Sequence, residues 1–136
     1  MVDKPFEITV KFQQVFGGHW YPIVQTIFLR SDGTRIRLPL LFDTGADSLV
    51  LHPDYEIMFS NLQPQKYKGI GSAGTYDGKK TMGKIEIFGR VIECEIGFVA
   101  MEFLPWRAGL LERNCFSSFG FGFWEAAREL YVNLKP

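Results

Sequence analysis

The chain has 136 residues, thirteen of them Phe, and a formal net charge of zero from 15 Lys and Arg against 15 Asp and Glu. That length suits one domain, residues 1–136, with a core able to stand without disulfides or a structural metal. Balanced charge removes the electrostatic case for nucleic acid or an anionic membrane as partner, and the aromatic content excludes a solvated tail.

Period-two alternation of apolar and polar residues recurs from end to end and predicts strands with one buried face. Ile8, Val10 and Phe12 form the first such set, and Gly17-Gly18 follows as a turn. Ser31-Asp32-Gly33-Thr34 is the next turn, leading into Ile36, Leu38 and Leu40. Pro39 precedes the most apolar run and places that strand at an edge or a bulge. Asp77-Gly78 predicts a hairpin turn, and Ile85-Glu86-Ile87 alternates again. Ile92, Cys94 and Ile96 follow. A short helix is predicted over Leu110 to Ser118, where Leu111, Cys115 and Phe119 repeat at i, i+4. Phe119, Phe121 and Phe123 return to strand spacing, Trp124 to Glu129 reads as a helical turn or a bend, and Leu130, Val132 and Leu134 close an all-β chain.

Cys94 and Cys115 are the only cysteines. The opening MVDKPFEITV lacks a basic leader followed by an apolar stretch, and no run reaches the roughly 20 apolar residues of a membrane-spanning helix. The expectation is a cytoplasmic protein with free, buried thiols. His19 and His52 are too few and too poorly matched with cysteine for a zinc site and read as surface or turn residues. No metal or cofactor is implied.

The segment KGIGSAGTYDGKKTMGKI, Lys68 to Ile85, overlaps GxGxxG with GxxxxGK. A dinucleotide fingerprint needs a helix opening just after the glycines, and TYDGKKTMGK has no apolar positions at helical spacing. A phosphate loop needs Ser or Thr after Gly83-Lys84, where Ile85 stands. Nucleotide binding is set aside, leaving a glycine-rich hairpin.

Between Leu38-Pro39-Leu40-Leu41-Phe42 and Ser48-Leu49-Val50-Leu51 lies Asp43-Thr44-Gly45-Ala46-Asp47. An unpaired carboxylate at the end of a buried strand is costly, so the placement asks for a reason. An Asx turn or cap in which Asp43 accepts backbone N–H groups is the plain one. The order of apolar strand, DTGAD, apolar strand, glycine-rich hairpin and late LLERN resembles the retropepsin-like aspartic peptidases, in their single-domain, prokaryote-like form, from about Pro22 to Val132. The resemblance implies a closed, barrel-like β fold with a flap hairpin and one short C-terminal helix.

Peptidases of this kind hydrolyse amides through two carboxylates that hold one proton between them. One acid polarises the carbonyl while the other activates water. With a single DTG, the partner of Asp43 must be Asp43 of a second copy, so a two-fold homodimer acting on a peptide or protein substrate is expected. By resemblance, Thr44 bonds across the dimer and Ala46 leaves room for substrate, while Gly45 permits the tight turn. Asp47 meets substrate backbone and is steadied by Arg113. Gly69 to Gly74 matches the flap tip, with Ile70 as an apolar contact and Gly71, Ser72 and Ala73 offering main-chain donors. Trp106 and Arg107, beside Leu104-Pro105, are candidates for a subsite wall. Members of the family carry Gly-Arg where this chain has Glu112-Arg113. A glutamate there either shifts the catalytic loop, which a glycine would let pack closely, or adds a negative charge that raises the pKa of the acids, and it keeps open a second reading, a catalytically silent peptide-binding or dimerisation module on the same fold.

Overall fold

A computed structural model describes residues 7–14, 18–44, 46, 48–68, 74–100 and 109–134. The strands are β1 (Ile8–Lys11), β2 (Gln13–Gln14), β3 (Trp20–Tyr21), β4 (Ile23–Leu29), β5 (Arg35–Asp43), β6 (Leu49–Leu51), β7 (Gln63–Lys68), β8 (Thr75–Ile87), β9 (Arg90–Val99), β10 (Gly109–Glu112), β11 (Gly120–Trp124) and β12 (Glu129–Asn133). Short 3-10 turns cover Pro53–Met58, Arg113–Phe116 and Glu125–Ala127.

Seven strands form one sheet in the order β4-β5-β10-β6-β9-β8-β7, and β8 also pairs with β4. The long β8 manages this by changing neighbours along its length. Thr75 to Lys80 pair with β7, whereas Lys84, Ile85 and Glu86 pair with Leu29, Phe28 and Ile27 of β4. The sheet thereby closes on itself through β4 and β8 into a barrel, which covers the free edge of β4 and leaves β7 as its edge strand. Strands β1, β12 and β11 make a smaller antiparallel sheet. Arg90 ties its C-terminal segment to the barrel by donating to the carbonyls of Ser118 and Leu134 while stacking 4.8 Å over the Phe119 ring.

The core follows from the alternation. Leu38, Leu40 and Phe42 of β5, Leu49 and Leu51 of β6, and Leu111 of β10 enter the main core with Phe28, Ile85, Ile96, Phe98 and Phe116. The intervening residues Leu41, Val50 and Leu110 enter a second, smaller cluster with Ile23 and Val99. These central strands are therefore buried on both faces, which is why their sequences are nearly continuous apolar runs.

Two expectations need correction. Leu110 to Ser118 is not one helix, because β10 covers Gly109–Glu112 and a single 3-10 turn, Arg113–Phe116, follows it. Strand pairing on both sides of β10 outweighs the i, i+4 repeat. Asp77-Gly78 is not a turn but lies inside β8, opposite Lys66 and Gln65. The glycine there serves packing, since a Cβ at Gly78 would overlap the Phe98 carbonyl oxygen and the Tyr67 ring. The Ser31 to Thr34 turn, by contrast, forms as expected, with Asp32 accepting from the Thr34 amide at 2.9 Å. Pro39 pairs with Gln25 on one side, and the ladder to β10 begins only at Leu41. Gly17 lies outside the described residues.

At Gly109, φ is +147° and a Cβ would meet the Val50 carbonyl oxygen. Glycine alone suits that backbone and that close approach. Gly109→Ala is expected to lower stability by roughly 3 kcal/mol through combined strain and overlap, read as a fall in the urea midpoint.

Candidate active site

Asp43 ends β5, and alternation places it on the same face as Leu41, the face of the smaller cluster. Half-buried Tyr21, Ala46, Tyr67 and Tyr76 pack against that cluster. The half-buried carboxyl thus stands at the margin of an apolar floor. The turn beyond it is closed by the Ala46 amide, which donates to the Asp43 carbonyl at 3.2 Å, and Thr44 is exposed.

The turn is held open by a third strand. β10 runs parallel to β5, pairing Leu110 with Leu41, Leu111 with Phe42 and Glu112 with Asp43, and it runs antiparallel to β6, pairing Gly109 with Leu51. The two strands that flank the acidic turn are thereby separated by one inserted between them. Their shared neighbour fixes the span of the turn and brings Glu112 alongside Asp43.

Behind the acid, Phe42 is clamped by rings from the end of the chain. It stacks on Phe116 with centroids 4.0 Å apart and planes 7° from parallel, and meets Phe121 edge-on at 5.3 Å. The Phe42 amide also donates to the Pro22 carbonyl at 2.9 Å. Such contacts fix the direction in which the next residue leaves the strand.

Tyr67 and Tyr76 of the β7–β8 hairpin pack against the same cluster. Lys68 pairs with Thr75, so residues 69–74 join the two strands at the hairpin end. Tyr67 and Tyr76 lie directly opposite each other. The Tyr67 ring fits where Gly78 and Gly97 leave room, because a Cβ at either position would strike it. Burial, with Glu95 adding to it, pushes the Tyr67 phenol up to about 12, and its hydroxyl donates to the Lys79 carbonyl at 3.3 Å.

Of the residues singled out in the sequence, Asp43, Thr44 and Ala46 meet in one turn. Arg113 begins the 3-10 turn next to Glu112 and is exposed. Gly45, Asp47, Ile70, Gly71, Ser72 and Ala73 lie outside the described residues, as do Leu104 to Arg107, and with them the Asp47–Arg113 pair. The floor residues Ile23, Val50 and Leu110 and the tyrosines of the hairpin were not singled out. Their one trace in the sequence is glycine at 78 and 97, small residues set into otherwise bulky strands.

Cys94 on β9 and Cys115 after β10 are both free and share a hydrogen bond. That bond holds the Cys94 thiol below its ordinary range, although burial and the charges of Glu112 and Glu93 oppose it. The same bond, burial and neighbouring charge push Cys115 far up. Iodoacetamide at pH 8 is expected to modify Cys94 in the folded protein and Cys115 only after denaturation, as read by peptide mass spectrometry.

No family model matches the chain, and no curated protein matches it. Solved structures do match. The chain is similar to an EIAV protease complexed with the inhibitor HBY-793, at 22% sequence identity and a TM-score of 0.51, over 75% of this chain and 90% of that one. At that identity the likeness speaks for architecture: this chain has the all-β, retropepsin-like fold of a retroviral protease.

Proposed function

We propose that the chain is one half of an aspartic endopeptidase, completed by a second copy that supplies the other Asp43. The observation that supports this reading is the place of Asp43, at the end of a strand split from its successor by β10, on the face of an apolar cluster against which Tyr67 and Tyr76 of the β7–β8 hairpin also pack. Two such carboxyls brought together cannot both ionise, so they share a proton. The ionised member takes a proton from water as it attacks the amide carbon, and the protonated member donates to the carbonyl oxygen. No covalent intermediate forms. The peptide lies extended beneath the hairpin, with main-chain groups of Gly71 and Ser72 bonding to it and Ile70 covering it. Thr44 joins the two turns, Gly45 and Ala46 leave space for the substrate, and Asp47, steadied by Arg113, receives its backbone.

Peptide-library digestion at rising protein concentration, with wild type and Asp43→Asn side by side, tests the proposal. Cleavage by wild type, with specific activity rising to a plateau as copies pair, is the expected result. Equal cleavage by both proteins would refute it. The rival reading, favoured by the extra carboxyl of Glu112, is a module that binds substrate-like peptides without cutting them at any pH. Binding without cleavage in the same library would select it.

A further inference from the structure

The two cysteines of the chain reach one spot from distant parts of the sheet. Alternation along β9 turns Cys94 to the face of Ile92, Ile96 and Phe98, and all four pack in or against the main core. Cys115, in the 3-10 turn Arg113–Phe116, is buried in the same cluster. A hydrogen bond between the thiols sets sulfur against sulfur. Because β6 lies between β9 and β10, this contact reaches across one strand, from β9 to the turn that follows β10. We propose that Cys94 and Cys115 are a reversible redox site, closed to an internal disulfide by a small, uncharged organic disulfide and reopened by thiols, which straps β9 to the turn carrying Phe116. The proposal stands apart from the reading of Asp43.

Exchange needs an accessible thiol to attack and a second one near enough to resolve the product. Cys94 suits the first role. It is half-buried, and its cross-strand neighbour on β8 is Gly83, which adds no side chain over it. The hydrogen bond from Cys115 also holds its thiol below the ordinary range. The Cys94 thiolate attacks one sulfur of the small disulfide, whose S–S bond breaks, and the released half leaves as a thiolate that takes up the proton Cys94 gave. Cys115 then loses its proton and attacks the Cys94 sulfur, and the second half departs as a thiol with that proton. Two protein thiols are oxidised by two electrons, and the small disulfide is reduced to two thiols. Cys115 is pushed well up by the same hydrogen bond, by burial and by neighbouring charge, so its step is the slower one. Glu112 and Glu93 place negative charge near Cys94, which favours an uncharged oxidant over an anionic one.

The test equilibrates the full chain with 2-mercaptoethanol and its disulfide at pH 8, folded and in urea, followed by acid quench and peptide mass spectrometry. In the folded chain a mixed disulfide on Cys94 is expected first, replaced with time by a Cys94–Cys115 link that dithiothreitol reverses. The equilibrium constant for closing the link is expected to be about tenfold or more larger folded than in urea, because the fold already holds the sulfurs together. By linkage, the closed form is then expected to show a higher urea midpoint than the open one. A mixed disulfide on Cys94 that persists as the end product, two unmodified thiols, or a link no more favoured in the folded chain than in urea each overturns the proposal. These measurements on wild type need no variant that folds. Where the variants do fold, Cys115→Ser is expected to stop at the mixed disulfide and Cys94→Ser to stay unmodified, and a mixed disulfide on Cys115 in folded Cys94→Ser would contradict the assigned order of attack.

Discussion

Asp43→Asn is expected to reduce peptide cleavage by about 10³-fold or more while leaving the unfolding midpoint close to that of wild type. Asn has the shape of Asp but can neither take a proton from water nor share one with its twin. The residue before it carries the packing, through the Phe116 stack and the amide bond to Pro22, so the strand end keeps its place. Subunit mixing makes the result quantitative. When equal amounts of wild type and Asp43→Asn exchange freely, about a quarter of the pairs retain both acids, so activity falls to about a quarter of that of wild type at the same total concentration. Fully active single copies would leave about half. A measured half, with exchange demonstrated independently, would mean that each copy cuts alone.

The largest effect on stability is expected from Phe116→Ala. Phe116 is fully buried, stacks on Phe42, and meets Phe88, Phe119 and Phe121 at 6.1, 5.7 and 5.6 Å. Truncation removes these contacts and leaves a cavity that surrounding β structure closes poorly. The loss is expected to be about 4 kcal/mol, read as a lower urea midpoint at unchanged slope. Phe116→Leu, which keeps most of the volume, is expected to lose less than half as much. Because the ring bears on Phe42, activity of Phe116→Ala is also expected to fall under conditions where the fold persists, through a looser Asp43.

Much of the barrel was legible because alternation records burial directly. Ile8 to Phe12, Ile36 to Leu40, Ile92 to Ile96 and Leu130 to Leu134 all lie in or against strands of the expected phase. The acidic turn was legible too, since a carboxylate between two apolar runs has few ordinary explanations. β10 was not. Its Gly-Leu-Leu-Glu is buried on both faces, so it has no alternation, and a short apolar run followed by Cys115 and Phe119 fits a helix equally well. Asp77-Gly78 misled for a related reason: its turn chemistry is local, whereas the glycine answers to Tyr67 and Phe98 from other strands. The nearness of Glu112 to Asp43 depends on a pairing 69 positions apart, and nothing short of the register reveals it.

That late pairing has a consequence during synthesis. The strand that separates β5 from β6 is made long after both of them, and the rings that brace Phe42 come later still. A nascent chain on the ribosome therefore has Asp43 without the strand and rings that hold its turn, so the proposed activity requires translation to have passed the last phenylalanines.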